Sequence, residues 1–373
     1  MTIKNNFKLS MAGIAASLLM AACGGGGGGG GGSDNASSGT ASVSGTGAPT
    51  GSQTTSGIAP RTSVATPTYA ADSFQIAAFN QINAYRSAMG VGMLSQDPIL
   101  DTSAQAHSLY LFSNLSTGVI SALSHNEAAG NANYYEDTPL SRAQKAGAPA
   151  TEFVGENVAA GVATASPSEA AADCVGQALG SVYHLVALTY TQETVGLGYT
   201  PGTTAYPIYT CSSDFGEVTG VVGTPGANSI SSFGGQQIST TTLVHSPYTS
   251  EIGVARAMRT ESPNPAVDVS APGRPILVRV NAVQSVDTLT VIQYTLKDNS
   301  GSVVDSRILV PSAATAGSTA TVVADPNNKL PSGTAVLLPL TALKASTTYT
   351  VNFVGARNGA TVSASWNFTT AAN

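Results

Sequence analysis

Three cysteines and four histidines stand among 373 residues of which only 10% are charged, so few positions can bond covalently, ligate or exchange protons. Cys174 lies in a helix-like stretch over 168–184, and Cys211 ends a strand-like run over 205–211. In an oxidising compartment the two can pair, closing a loop of about 37 residues and contributing about 3–4 kcal/mol by the loop-entropy argument. Two separate buried thiols are the alternative. Ser181 and His184 are three apart on the same helix-like stretch, hence neighbours on one face, and with Glu156 they raise the question of a hydrolytic triad. No Gly-x-Ser-x-Gly turn surrounds Ser181, so the strained elbow that exposes a nucleophilic hydroxyl is not there. Ser181 is expected to shape the helix end. His107 shares a helical face with Leu100 and Ala104 and reads as a core or cleft-wall residue, and His245 falls outside every motif.

Cys23 has a different setting. Two lysines precede an apolar stretch over 9–22, and Met20-Ala21-Ala22 places small residues directly before the cysteine. The stretch is too short for a bilayer that needs roughly twenty apolar residues, and it reads as a secretory signal peptide over 1–22. It resembles a bacterial lipoprotein signal, with Met20 at a position usually held by Leu. The resemblance implies acylation of Cys23, a stable membrane anchor through the acyl chains and, with Gly24 next, passage to the outer membrane. Residues 23–68, which open with the glycine run 24–32 and continue in Ser, Thr, Ala and Gly, cannot bury a core and are expected to form a flexible tether. The square-root law for Gly-rich chains gives it a reach of about 35–40 Å.

Charge excludes several partners. Fifteen Lys plus Arg against 21 Asp plus Glu leave a net charge of -6, more negative still once Lys4 and Lys8 depart with the leader. Nucleic acid is excluded as a partner. No basic cluster offers itself to an anionic lipid surface, so membrane attachment falls to Cys23.

The remaining 300 or so residues suit two domains. Phe74, Ile76, Ala77, Phe79, Ile82, Tyr85 and Met89 have helical spacing behind a cap at Asp72 or Ser73. A second helix is predicted over 98–115, a short one opens at Thr138-Pro139 and closes at Gly147, and another covers 168–184. Strands are predicted over 195–200 and within 205–222. Helices followed by strands indicate an α+β layered domain.

Six blocks of this region, in order, resemble the CAP superfamily, also called SCP or PR-1. They are Gln81-Ile82-Asn83-Ala84-Tyr85-Arg86 with Gly90, Leu94, Asp97, Leu100 and Ala104; Ser124-His125; Arg142 with Ala146-Gly147; Gly155-Glu156-Asn157-Val158-Ala159-Ala160-Gly161; Ser181-Val182-Tyr183-His184; and Val195-Gly196-Leu197-Gly198-Tyr199. The resemblance implies an α-β-α sandwich over 69–225 with His125, Glu156 and His184 in an open cleft, Ser181 beside them. Two imidazoles and a carboxylate suit a divalent metal such as zinc with an open position for water; the same trio could serve as base and electrostatic support, or be a hydrogen-bonded cleft that supports loops. Three departures stand out. A second glutamate of many members is Ser181 here, a tryptophan is Ala178, and the Arg and Asn that follow the last histidine in bacterial members are Leu185 and Ala187. Glu127 and Asp173 are bystanders that no motif places.

After a linker over 226–260, strand-like runs over 275–280, 288–296, 302–310, 335–340, 349–357 and 361–370 predict an antiparallel β-sandwich over 261–373. Its end, Trp366-Asn367-Phe368-Thr369-Thr370, resembles bacterial Ig-like modules, with Trp366 as a core residue. Asp298 and Asp325 are turn acids without the further oxygens a calcium site needs. Together these readings describe an exported, lipid-anchored protein whose cleft binds a lipid, an envelope component or a partner. A metal-assisted hydrolase using the same cleft, and an adhesive envelope protein acting through the Ig-like module, are the alternatives.

Overall fold

A computed structural model describes residues 57–231, 233–282 and 287–372; the leader, Cys23 and the tether before residue 57 lie outside the described residues. The chain is mixed α/β, with five α-helices and thirteen strands in three sheets among the described residues. The helices begin where their caps stand. Helix α1 (Phe74–Met89) starts on Ser73, whose hydroxyl accepts from the Ile76 N–H, and stops at Gly90 with φ 77°. Helix α2 (Pro98–Ser116) follows Asp97 with proline in its first turn, and α3 (Pro139–Ala146) has a Thr138/Ser141 capping box and ends at Gly147. Helix α4 (Pro167–Gly180) opens on a Ser166/Glu169 capping box.

Here the structure departs from the predicted single helix over 168–184. Ser181 takes extended backbone angles, φ -104° and ψ 166°, and a separate six-residue helix α5 (Tyr183–Leu188) follows. The break means that Ser181 and His184 are not neighbours on one helical face. Apolar residues recur across the boundary, so periodicity alone gave no sign of it.

Strands β1 (Ser95–Gln96), β2 (Phe153–Val162), β3 (Thr194–Thr200) and β4 (Ile208–Glu217) form a sheet in the order β1-β3-β4-β2. Alternation along the strands divides the packing. Phe74, Ala78 and Ile82 of α1 and Ala170 and Ala171 of α4 bury against Val195, Leu197, Tyr209 and Phe215. Val154, Val158 and Ala160 of β2 point the other way, toward Tyr110, Leu111 and Leu100 of α2 and Ala143 of α3. Gly196 and Gly198 let α2 lie directly on β3: a Cβ would sit 2.0 Å from the Leu100 carbonyl carbon and 2.1 Å from the Ala104 oxygen. Cys174 of α4 and Cys211 of β4 are joined by a disulfide, which settles the alternative of two thiols.

Two further sheets face each other across a second core. One has the order β10-β9-β11-β7-β5, built from β5 (Leu243–Ser246), β7 (Ile276–Val280), β9 (Ser306–Val310), β10 (Val323–Ala324) and β11 (Thr334–Pro339). The other runs β6-β13-β12-β8, from β6 (Glu251–Val254), β8 (Leu289–Lys297), β12 (Thr348–Arg357) and β13 (Ala360–Thr370). Trp366 is buried between them with Tyr294, Phe353 and Phe368. Two expectations need correction. The segment 243–254, assigned to the linker, supplies edge strands to both sheets, and the pairing is not wholly antiparallel, because β10 runs parallel to β9 and β6 to β13. Strands of two to four residues carry too little alternation to be read from sequence.

The two units share a third core. Tyr85, Val91, Val182 and Leu185 of the first pack with Leu277, Leu309, Val336 and Leu338 of the second, and Tyr85 Oη lies 2.6 Å from Ser246 Oγ. Residues 57–61, expected in the tether, run along this body: Ile58 bridges Gln236, and Arg61 donates to the Glu193 carbonyl at 2.7 Å. Among the described residues no helix is long and apolar enough to cross a membrane.

Candidate functional site

Alternation on β2 sends Glu156 to the face that meets α2 and α3, while Asn157 turns to the other, where its amide donates to the His184 carbonyl at 3.0 Å. Glu156 is wholly enclosed, and four groups meet its two oxygens. Oε1 lies 2.9 Å from His125 Nδ1 and 3.7 Å from His107 Nε2; Oε2 accepts from Arg142 Nη2 at 2.7 Å and from Ser212 Oγ at 3.0 Å. Burial opposes its charge, but the Arg142 guanidinium and the two imidazoles outweigh burial and hold the carboxyl well below the usual carboxylate range. Asp214, its cross-strand neighbour on β4, is pushed far the other way by burial and then by the charge of Glu156. One of the two adjacent acids is therefore ionised and the other neutral.

Arg142 does a second thing. Its Nη1 donates to the His125 carbonyl at 3.0 Å and the Asp137 carbonyl at 3.1 Å, so one guanidinium fixes both the backbone of His125 and the carboxylate that meets its ring. His107, fully buried, stands between Glu127 Oε1 at Nδ1 and the Ser124 carbonyl at Nε2, each at 2.9 Å. Both ring nitrogens are thereby engaged. Glu127 in turn accepts from the Tyr135 N–H at 2.7 Å. The loop that presents His125 is thus held by charged groups buried behind it.

His184, on α5, has an analogous support. Its Nδ1 is 3.1 Å from Glu261 Oε2. The two rings are 16% and 13% exposed, whereas both supporting carboxylates are fully covered. A carboxylate at each Nδ1 favours the tautomer with its proton there and the Nε2 lone pair outward. Among the described residues neither Nε2 meets a hydrogen-bond partner, and both rings line a cleft of about 760 Å³ between the two units. Its lining is mixed: Val186, Tyr190, Ile230, Pro263 and Pro331 supply apolar surface beside Asn126, Asn228 and Ser229, and exposed Lys329 borders it.

Of the residues singled out from sequence, His125, Glu156 and His184 converge on this cleft and Ser181 does not. Its hydroxyl donates to the Gln177 carbonyl at 2.9 Å, and it lines an adjoining cavity of about 40 Å³ against the Cys174–Cys211 bridge. Asp173 is engaged elsewhere, accepting from Tyr209 Oη at 2.6 Å, and His245 stacks on Trp366. Asp298 and Asp325 spend their oxygens on turn N–H groups and on Lys344 and Tyr183. His107 is the buried, hydrogen-bonded histidine that its helical face predicts, whereas the roles of Glu127, Arg142, Asn228 and Glu261 were not legible. Asn228, whose Oδ1 accepts from the Glu156 N–H at 2.9 Å, and Glu261 lie in segments without periodicity or motif.

A metal would find two imidazole nitrogens here rather than three strong ligands. Glu156 could reach an ion only by giving up Arg142 and Ser212, and among the described residues no group of three or more His, Cys, Asp or Glu side chains is arranged to hold a metal. The carboxylate-backed imidazoles do match the outer-shell support that metal-ligating histidines have. No model of a known protein family matches the chain, and a search of curated proteins finds no relative.

Proposed function

We propose that this is an exported protein of the CAP superfamily, anchored through acylated Cys23 at the outer membrane, carrying a C-terminal Ig-like module and binding a ligand in the cleft at His125 and His184. The observation that carries the reading is the pair of imidazoles, each with Nδ1 on a buried carboxylate and Nε2 toward one open cleft. A divalent metal such as zinc would be held by the two Nε2 atoms and would supply a Lewis-acid centre for an oxygen ligand. Glu156 and Glu261 then orient the rings and do not bind. The walls suit a partly apolar ligand, and Lys329 favours an acidic group on it, as in a lipid or envelope component.

Ser181 Oγ is committed to the Gln177 carbonyl, which weighs against a serine nucleophile and in favour of binding over that form of turnover. Elemental analysis of the purified mature chain, with mass spectrometry of co-purifying lipids, tests the reading. Zinc or a lipid is expected in the wild type and depleted in His125→Ala and His184→Ala. Absence of both from the wild type, with no uptake on adding zinc, overturns it and leaves the adhesive alternative.

A further inference from the structure

Helix α5 has no side-chain cap from its own neighbourhood, and its first residue follows Val182 in helical backbone geometry. Its leading N–H groups are capped from 79 residues away. Glu261 Oε1 accepts from the Val182 N–H at 2.6 Å and Oε2 from the Tyr183 N–H at 2.9 Å, and the same Oε2 lies 3.1 Å from His184 Nδ1. One buried carboxylate therefore starts the helix and meets the ring that helix presents. Its own segment is pinned on both sides: the Arg259 N–H donates to the Gly180 carbonyl at 2.9 Å, and Asn327 of the second unit donates to the Asn264 carbonyl at 3.0 Å.

We propose that Glu261 is the positioning residue for His184, so that the segment 259–264 makes the cleft a joint property of the two docked units rather than of residues 69–225 alone. This rests on the reading of His184 as a cleft ligand. Both oxygens of Glu261 already accept backbone N–H groups, and an Nδ1–H donated to Oε2 completes the same acceptor pattern and keeps Nε2 as the lone pair. Without Glu261, three donors lose one acceptor, the first turn of α5 frays, and the ring is free to take either tautomer.

The test uses the full mature chain, free of metal, with 15N-labelled histidine. At a pH where the imidazoles are neutral, long-range 1H–15N spectra are expected to show His184 as the Nδ1–H tautomer. Glu261→Gln should move His184 away from that tautomer and leave His125 unchanged. In the same pair of proteins Co2+, read by its visible absorption, should bind about 10–100-fold more weakly to the variant. A wild-type His184 that is Nε2–H overturns the inference without any variant, and so does a folded Glu261→Gln whose His184 spectrum is unchanged. If the tautomer shifts but the wild type binds no Co2+, Glu261 stands as the positioning residue and the metal reading falls.

Discussion

Arg142 and Glu156 come from different elements, α3 and β2, and meet with Nη2 2.7 Å from Oε2, neither side chain reaching solvent. Taking two charges out of water costs several kcal/mol per ion unless the geometry is good and the remaining donors and acceptors are used. Most are used, on the carbonyls of His125 and Asp137 and on Ser212, while Arg142 Nε has no hydrogen-bond partner and faces Glu127 Oε1 at 3.8 Å. The pair anchors the cleft from behind.

Arg142→Met, similar in bulk and uncharged, leaves Glu156 ionised beside its imidazoles but without its guanidinium. A loss of about 3–5 kcal/mol in urea unfolding is expected, the range for a buried ion stripped of its partner. Arg142→Lys should restore only part, because one ammonium cannot span the fork of contacts. A loss below about 1 kcal/mol for Arg142→Met contradicts this account.

Stability should fall on both sides of a mildly acidic optimum. Glu156 is held below its unfolded value of 4.5, so its contribution is present above that pH and fades as the medium is acidified. Glu217 has the opposite sign: burial first, then the charge of Glu193, pushes it up to about 8, and Glu152 is likewise raised to about 7 by burial and by Asp97 and Glu193. A carboxyl whose folded value is raised contributes fully below 4.5 and loses that contribution as pH rises through about 7–8. Glu217→Gln should therefore gain on the wild type between pH 5 and 8.5, by on the order of 2–4 kcal/mol. Melting temperatures at the two pH values check it, and a parallel pH dependence in both proteins argues against it.

Gly198→Ala is expected to be severely destabilising although it adds one methyl. The new carbon would stand 2.1 Å from the Ala104 carbonyl oxygen, and relieving it means moving α2 off β3, at a cost of about 1–3 kcal/mol or more. Gly176→Ala in α4, where a Cβ meets nothing within 4 Å, should be neutral or slightly stabilising. Thermal melts of the two variants compare them directly.

A chain ending at residue 225 uncovers Tyr85, Val91, Val182 and Leu185 where Leu277, Leu309, Val336 and Leu338 now cover them. It should aggregate, or melt well below the full chain, and bind a hydrophobic dye. A monomeric fragment 57–225 that melts at the temperature of the full protein would show that the shared core is dispensable.

The boundaries of α1, α2 and α3 were legible because they rest on local chemistry: Ser73, Asp97 and Thr138 as caps, prolines in first turns, Gly90 and Gly147 as stops. The Cys174–Cys211 pair was legible as one of two options, through the scarcity of cysteine. The strand β2 was not, since its Gly- and Ala-rich run has little β-propensity and forms only because it pairs along its whole length with β4.

The site divides along the same line. The sequence by itself determined which groups can do chemistry, His125, Glu156 and His184 in a chain poor in charge. Only the tertiary structure decided their roles. It turned Ser181 toward Gln177, enclosed Glu156 between Arg142 and two imidazoles, and brought Glu261 across 77 residues to His184. The physical reason is that a cap or a hydrophobic period is settled among residues a few positions apart. Whether a carboxylate ligates, orients or stays neutral depends on burial and on partners that chain order does not encode.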